Sequence, residues 1–263
     1  MKEGFNSMEK VEYMINNKRY SLISDLHTHT RFSHGTGSVE DNVTAARARG
    51  IMKIGITDHG PGHLLFGVRR RNIPKMRAEV ERLGALYTDM EILLGVEANI
   101  SNNSGALDIK PSEFKYFDYI TAGYHYAAVG ANPLSGAIKA VQNAAEHKSG
   151  IDTKGLVRRN TRNIVRALER NSIKILTHPG DKAPVDLLEI AVVCAKTETL
   201  VEINTAHMSL SSEDIRTMAL ADVSFIIGSD AHSPGRVGDF VSAVSIALDA
   251  GIDMSRIVNL RIA

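Results

Sequence analysis

Residues 20–29 read Tyr-Ser-Leu-Ile-Ser-Asp-Leu-His-Thr-His, and this stretch decides the fold that the sequence predicts. An apolar strand pattern passes directly into two histidines that are separated by one residue. Alternate residues of a strand face the same side, so His27 and His29 can bind one metal ion. Imidazole is a common ligand of Zn, Mn and Fe. The stretch therefore predicts a strand that carries metal ligands at its carboxyl end.

Five further apolar runs end in the same way, each at a histidine or an acidic residue. They are 52–57 before Asp58 and His59, 91–96 before Glu97, 119–124 before His125, 173–177 before His178, and 223–229 before Asp230 and His232. Packing gives no reason for six strands to end alike. Together with His34 they supply nine candidate ligands: His27, His29, His34, His59, Glu97, His125, His178, Asp230 and His232. A single ion needs fewer ligands, so the pattern indicates a polynuclear metal site.

The apolar runs alternate with helical segments along the chain. The predicted strands lie near 21–27, 52–57, 91–97, 118–124, 173–177, 199–203 and 223–228, and the predicted helices near 38–49, 73–88, 135–148, 155–170, 184–196, 211–221 and 239–250. This alternation favours a parallel sheet. We therefore expect an α/β fold, a distorted (β/α)7 TIM-like barrel in one domain over residues 21–263, with an open doubly wound sheet as the alternative. Active sites of such barrels lie at the carboxyl ends of the strands, where the nine candidates are found.

The first twenty residues precede this alternation and are predicted to form an N-terminal extension packed on the barrel. Asn6 to Glu9 could cap a short helix with Val11, Met14 and Ile15 on one face.

A second irregular segment is the connection of residues 126–172, which is longer than one crossover needs. Arg158, Arg162 and Arg166 are spaced to share one face of its second predicted helix. This stripe is typical of a solvated face, and a lid or a partner surface is the alternative.

The amino-acid composition disfavours some classes of binding partner. A net charge of +1, an aromatic content of 5% and the absence of Trp disfavour nucleic acid as a partner. The single cysteine, Cys194, excludes an internal disulfide and is expected to be a small buried hydrophobe. The sequence has neither a run of about 18 apolar residues nor the apolar core of a signal peptide. We expect a cytoplasmic enzyme that has no membrane partner.

The order of these motifs resembles the PHP family, named for polymerase and histidinol phosphatase domains, and within it the YcdX-like branch of bacterial phosphatases. The resemblance runs from about residue 24 to the C-terminus. It is carried by Asp25-Leu26-His27-Thr28-His29-Thr30, Ile56-Thr57-Asp58-His59-Gly60-Pro61, Gly95-Val96-Glu97-Ala98-Asn99-Ile100, Ala122-Gly123-Tyr124-His125, Thr177-His178-Pro179-Gly180, Glu202-Ile203-Asn204 and Gly228-Ser229-Asp230-Ala231-His232. The resemblance implies a distorted (β/α)7 barrel whose three divalent transition-metal ions (Zn, Mn or Fe) serve the hydrolysis of phosphate esters.

The resemblance also divides the nine candidates into three sets of metal ligands. The first ion would take His27, His29, Glu97 and Asp230. Glu97 would bridge to a second ion that is held by His125 and His178. The third ion would take His34, His59 and His232, and the loop that carries His34 is shorter here than in the family.

The residue types suit phosphate-ester hydrolysis. Metal ions neutralise phosphate oxygens and lower the pKa of a bound water, which supplies hydroxide at neutral pH. We therefore expect direct attack by a hydroxide held at the metals, with Glu97 and Asp230 as the central carboxylates. Asp25 and Asp58 are predicted to orient ligand imidazoles through the second ring nitrogen.

Cationic side chains near the ligands are candidates for contact with the substrate phosphate. They are Arg31, Arg236 and the run Arg69, Arg70 and Arg71, for which a solvated charge run is the competing interpretation. His63 and His207 also follow strand ends and are candidates for a substrate contact or a general acid. Asp181 and Lys182 are weaker candidates.

The leading hypothesis is a phosphatase for small phosphomonoesters, of which histidinol phosphate is one. A PHP-type nuclease or nucleotide phosphodiesterase is the alternative, and the neutral charge and low aromatic content argue against it. An amidohydrolase is disfavoured because no lysine follows a strand. A metal-binding scaffold without activity is disfavoured by the complete ligand set. The residues select neither the metal nor an oligomeric state.

Overall fold

The computed structural model describes residues 12–15, 17–100, 104–125, 153–181 and 183–263. These residues contain ten strands: β1 (Glu12–Ile15), β2 (Lys18–Leu22), β3 (Ser24–Asp25), β4 (Lys53–Ile56), β5 (Glu91–Asn99), β6 (Tyr119–Gly123), β7 (Ile175–Leu176), β8 (Leu200–Asn204), β9 (Phe225–Gly228) and β10 (Leu260–Ile262). The helices are α1 (Val39–Ala48), α2 (Ile73–Leu86), α3 (Thr153–Arg170), α4 (Leu187–Lys196), α5 (Ser212–Met218) and α6 (Val241–Ala250). Strands β3 to β9 form one parallel sheet in chain order, which confirms the seven predicted strands.

The two outer strands of this sheet, β3 and β9, approach each other and nearly close a barrel. Beyond their carboxyl ends, His29 N donates to Ala231 O at 2.9 Å. Within the gap, the buried Asn259 amide donates to Ser24 O at 2.7 Å and to Ile227 O at 2.8 Å. Backbone groups that lack a strand partner are thus satisfied by a side chain. The fold is the distorted seven-stranded barrel that the sequence predicts, and the open sheet is excluded.

Local sequence fixes the start of several helices around the barrel. α1 begins at a capping box in which the Ser38 hydroxyl and the Asp41 carboxylate bond each other's backbone N–H. α5 begins at the same device, built from Ser211 and Asp214. Their apolar faces pack on strands whose side chains are buried on both sides of the sheet, as in other parallel barrels.

The N-terminal extension differs from its prediction. Met14 and Ile15 lie in strand β1, which pairs antiparallel with β2 through a turn that holds Asn17 at φ 61°. β2 in turn pairs with β10, so residues 12–22 form a small sheet with the C-terminus. A helix that includes Met14 and Ile15 is therefore wrong, while Val11 and the predicted cap at Asn6 to Glu9 lie outside the described residues. The single strand predicted over 21–27 is divided into β2 and β3.

The long connection is described only in its second half. α3 carries Arg158, Arg162 and Arg166 on its exposed face and buries Leu156 and Ile164. The exposed stripe is confirmed, and a role as a lid or partner surface stays a prediction. The helix predicted over 135–148 lies outside the described residues. Within the part of the chain that the structure describes, no helix has the length and apolar character needed to cross a membrane.

Candidate metal centre

The strand ends bring the nine predicted ligands to one end of the barrel. His27 and His29 follow β3, His59 follows β4, Glu97 lies within β5, and the remaining strands β6, β7 and β9 precede His125, His178, Asp230 and His232. Six of the nine are buried, namely His27, His29, His59, Glu97, His178 and Asp230, and His34, His125 and His232 are partly buried. The parallel register places these carboxyl ends side by side, which is why residues far apart in the sequence meet.

Glu97 lies at the centre of the cluster and approaches five imidazoles with its two carboxylate oxygens. Its Oε1 is 2.9 Å from His178 Nε2, 3.4 Å from His125 Nε2 and 3.6 Å from His27 Nε2, and its Oε2 is 2.7 Å from His59 Nδ1 and 3.7 Å from His29 Nε2. Thr177 Oγ1 also donates to Oε1 at 2.9 Å. A carboxylate between so many ring nitrogens has the position of a ligand shared by two ions.

Asp230 is the second central carboxylate. Its Oδ1 lies 3.0 Å from His29 Nε2 and 3.6 Å from His27 Nε2. Both Asp230 and His178 have positive φ angles, 48° and 29°, which few residues other than glycine adopt. Such backbone conformations persist where the surrounding structure enforces them, and they cluster at functional sites.

The ligand atoms form three groups, and within each group they lie within 4.8 Å of one another. The groups are His27, His29 and Asp230; His59, Glu97 and His125; and His29, His59 and His232. The first contains three members of the predicted first set and lacks Glu97, whose Oε1 lies 3.6 Å from His27 Nε2. The second holds His59 in the place expected for His178, and the third holds His29 in the place expected for His34. The His34 ring still lies beside this third group, 4.0 Å from the His232 ring and 4.9 Å from the His59 ring.

The chemistry of the cluster fits metal ions. Buried polar atoms in proteins are normally hydrogen bonded, so unpaired ones need another partner. Six buried atoms of the cluster have no hydrogen-bond partner in the structure: His29 Nδ1, His34 Nδ1, His59 Nδ1, Glu97 Oε2, Asp230 Oδ1 and His232 Nε2. His59 Nδ1 and Glu97 Oε2 are close neighbours yet lack hydrogen-bond geometry. Divalent ions would satisfy these atoms.

The local electrostatics favour the metal-binding protonation state at Glu97, Asp230 and His29, but not at His27. Burial opposes the charged form of His27, yet Glu202, Asp230 and Glu97 outweigh it and raise the pKa of this imidazole well above its ordinary value. Burial opposes the charged form of Glu97, yet His125, His27 and His59 outweigh it and hold the pKa of this carboxyl well below its usual range. Burial likewise opposes ionisation of Asp230, but His27 and His29 lower its pKa. Burial lowers the pKa of His29 well below its ordinary value. Charged carboxylates and a neutral imidazole are the ligand forms.

A layer of polar side chains behind the ligands fixes their orientation. Glu202 Oε1 lies 2.6 Å from His27 Nδ1, which leaves His27 Nε2 directed at the cluster. Glu202 Oε2 accepts from the His178 N–H at 2.8 Å and from the Asn204 amide at 2.9 Å. The carboxylate lies so close to Gly228 that a Cβ there would stand 1.9 Å from Oε1. Sequence reasoning missed this role, although the inward position of Glu202 within an apolar strand is a signal for it.

A second chain of contacts supports His125. Asn99 Oδ1 lies 2.8 Å from His125 Nδ1, and the Asn99 amide donates to Asp108 Oδ2 at 2.5 Å. Asp108 is buried and also accepts from the Gly62 N–H at 2.7 Å. This contact joins the ligand to the loop after β4. No sequence pattern indicates a role for Asp108, because it lies in a connection between strands.

The structure corrects the role predicted for Asp25 and Asp58. The Asp58 carboxylate accepts from Thr30 N at 2.8 Å, Thr30 Oγ1 at 2.6 Å and Ser33 N at 3.2 Å. Asp25 accepts from the N–H groups of Gly238 at 2.7 Å and Ser229 at 3.3 Å. Both carboxylates therefore fix the backbone of the loops that carry ligands, and the imidazoles are oriented by Glu202 and Asn99.

A cavity of about 180 Å³ opens above the cluster. Its lining consists of His34, His59, His63, Phe66, His125, His178, Asp181, His207, Asp230 and His232. His63 and His207 thus lie where the sequence predicts them, as does Asp181, whereas Lys182 lies outside the described residues. His207 Nδ1 is 3.4 Å from Asp181 Oδ2, and its Nε2 is 3.7 Å from Asp230 Oδ2.

The five candidate arginines lie outside this lining. Arg70 forms an ion pair with Glu113 and donates to Asp108 O at 2.9 Å. Arg236 pairs with Asp239 at 3.1 Å and donates to Thr205 O at 3.3 Å. The side chains of Arg31, Arg69 and Arg71 are exposed. A phosphate contact by any of the five stays a prediction. It requires the arginine side chain to adopt a conformation different from the one in this structure.

The contact between Glu202 and His27 predicts a measurable effect on metal binding. Replacing Glu202 by Gln removes the charge that holds His27 Nδ1 and should weaken metal affinity about 10- to 100-fold. Activity should recover when Zn or Mn is raised in proportion, because the ligands themselves are intact. Glu213→Gln, at an exposed glutamate in the first turn of α5, is the matched control. An unchanged metal titration for Glu202→Gln would remove Glu202 from this role.

The sequence of this chain is similar to those of known proteins. The family model described as PHP domain matches residues 25–206. The Probable phosphatase YcdX of Escherichia fergusonii is 30% identical over 251 residues, which cover 90% of this chain and 89% of that protein. A Probable phosphatase of Shewanella sediminis is 27% identical over 250 residues, 89% of this chain and 88% of the relative.

Solved structures show the same fold. The histidinol phosphate phosphatase of Lactococcus lactis, solved with Zn, L-histidinol and phosphate, has a TM-score of 0.59 at 18% identity and covers 88% of this chain and 94% of its own. The hisK protein of Listeria monocytogenes has a TM-score of 0.60 at 15% identity, with coverages of 83% and 98%. The barrel architecture is therefore shared with these proteins.

Proposed function

This chain belongs to the PHP domain family and is a metal-dependent phosphatase, and on that premise we propose that it hydrolyses small phosphomonoesters with three divalent transition-metal ions. The family resemblance of the motifs is confirmed by the match over residues 25–206. The observation that carries the proposal is the cluster of unpaired ligand atoms around Glu97 and Asp230, which lies at the floor of a cavity.

The residues of the cluster would divide the ions among them. The first would be held by His27, His29 and Asp230, the second by Glu97, His59 or His178, and His125, and the third by His232 with His29, His59 or His34. When bound, such ions supply a nucleophilic water at neutral pH and neutralise phosphate oxygens. The number three and the identity Zn, Mn or Fe are part of the proposal.

The protein's own groups then position the substrate. Glu97 and Asp230 hold negative charge at the floor, so the phosphate can bind there only together with the metal ions. His207 lines the cavity and would be the group to hydrogen bond the oxygen that leaves with the alcohol. Cys194 is buried, and burial raises the pKa of its thiol to about 12, which argues against a covalent cysteine intermediate.

The size of the cavity supports a small substrate. About 180 Å³ holds a phosphate with a compact leaving group, while tracking a nucleic acid strand requires a positively charged groove and stacked bases. Histidinol phosphate is a candidate of suitable size, and the Lactococcus lactis structure was solved with L-histidinol and phosphate. A PHP-type nuclease is the competing function, and a cytoplasmic location stays a prediction.

A comparison of substrates tests this proposal. With one preparation of metal-loaded protein at one stated salt concentration, kcat/KM for a panel of phosphorylated metabolites should exceed that for a single-stranded oligonucleotide by more than about tenfold, the factor that 1.4 kcal/mol represents. Weak release of a terminal nucleotide is compatible with the cavity. A preference for the oligonucleotide would favour the nuclease, and no hydrolysis of any phosphomonoester in the panel would reject the proposed substrate class.

A further inference from the structure

A closed loop stands at the rim of the candidate metal centre, formed by residues 60–68 and here named the rim loop. Val68 N donates to His59 O at 3.0 Å, which joins the two ends of the loop. Within it, Gly67 N donates to His63 O at 2.9 Å, and Asp108 holds Gly62 from below. Compact loops with close ends and internal hydrogen bonds have a defined shape and are frequently functional.

The tip of the rim loop presents three consecutive large apolar side chains to solvent. Leu64 is 60% exposed, Leu65 is 76% exposed and Phe66 is 38% exposed. Single exposed apolar residues are common on protein surfaces, but a contiguous group beside a cavity is typical of a binding surface. Leu64, Leu65 and Phe66 are exposed to water, which is unfavourable for apolar side chains, and they contribute nothing to the core.

Phe66 is the member of the tip that reaches the cavity. Its ring lies 4.2 Å from the His34 ring with an interplanar angle of 20°, and 5.3 Å from the His63 ring. The other lining side chains of the described part of the chain are histidines and aspartates. Phe66 thus gives an otherwise polar cavity one apolar wall.

We infer that Phe66 is a platform for an aromatic leaving group of the substrate, so that the enzyme favours phosphomonoesters of ring-bearing alcohols. The inference rests on the proposed phosphatase function. The phosphate end of a substrate belongs at Glu97 and Asp230 on the floor, so the esterified group extends towards the rim, where Phe66 lies. Aromatic rings prefer offset-stacked or edge-to-face contact, and half-exposed rings at binding sites supply it.

The test compares two esters whose alcohols are both primary and differ in the ring, benzyl phosphate and ethyl phosphate. Phe66→Ala should lower kcat/KM for benzyl phosphate about five- to tenfold, the scale of one aromatic contact. Its effect on ethyl phosphate should stay within about twofold, because no ring is lost. Phe66→Tyr should restore the preference, and Leu65→Ala, in the same loop but outside the cavity lining, is the matched control.

A binding measurement separates this inference from the proposed function. Calorimetry of the metal-loaded protein should show tighter binding of benzylphosphonate than of methylphosphonate, and Phe66→Ala should remove the difference. Equal losses for both esters, or an unchanged benzyl preference at equal metal content, would overturn the platform. Discrimination between the phosphonates without hydrolysis of either ester would retain the platform and reject the phosphatase proposal.

Discussion

Replacing Glu97 by Gln is expected to lower kcat for a phosphomonoester on the order of 10³-fold or more while the protein stays folded. The Glu97 carboxylate is within 4 Å of five imidazoles and has the position of a bridging ligand. An amide has the same shape, carries no charge and binds metals poorly. If the metals contribute several kcal/mol to the transition state, a loss of about 4 kcal/mol corresponds to this factor.

The measurement is kcat with p-nitrophenyl phosphate, together with metal content and the thermal melting of the metal-free protein. Glu91→Gln is the matched control, because Glu91 lies on the same strand, is exposed and pairs with Lys53 at 2.7 Å. Near-native activity of Glu97→Gln at full metal content would show that Glu97 bridges no ions. A large fall in the melting temperature of the metal-free variant would instead assign a structural role to Glu97.

Removal of the metals is expected to abolish hydrolysis and to lower the melting temperature of the protein. The protein reconstituted with Zn or Mn should contain close to three ions per chain, because seven of the nine candidate ligands form three groups whose atoms lie within 4.8 Å of one another. Each ion that binds only the folded chain stabilises it by mass action, about 4 kcal/mol when its concentration is 1,000 times its dissociation constant. The crowded carboxylates of Glu97 and Asp230 add to the difference, since they lose their counter-ions.

Elemental analysis before and after chelation, combined with melting curves and activity, tests this expectation. Restoration by Zn or Mn, but not by a matched addition of Ca, would agree with a site built from imidazoles. At most one ion per chain after reconstitution would reject the three-ion proposal. Activity that survives complete chelation would contradict metal dependence itself.

The sequence predicted more of the metal centre than of its surroundings. His27, His59 and Asp230 were identifiable because each follows an apolar run, and both the run and the ligand are local features of the chain. The sharing of ligands was less predictable. The group around Glu97 and His125 contains His59 rather than His178, and the group around His59 and His232 contains His29 rather than His34, because ring positions depend on how neighbouring strands and loops pack. His178 Nε2 nevertheless lies 2.9 Å from Glu97 Oε1.

The arginines show the same limit. Arg236 and Arg70 are near the site in sequence, yet one pairs with Asp239 and the other with Glu113. Sequence spacing indicates where the backbone of an arginine lies, but it does not indicate which group the side chain contacts. At an exposed position, several contacts within reach of the side chain differ little in free energy.

The class of the fold and the order of its strands are predictable from the sequence alone, and so is the set of candidate metal ligands that the strand ends carry. These depend on the period of apolar residues and on side-chain chemistry, both of which are written locally. The tertiary structure was needed to show that Glu202, Asn99 and Asp108 support the candidate ligands, that residues 12–15 pair with β2 rather than form a helix, and that β2 pairs with β10. These contacts join segments that are distant in sequence, and their partners are chosen by the closure of the barrel, which no local pattern encodes.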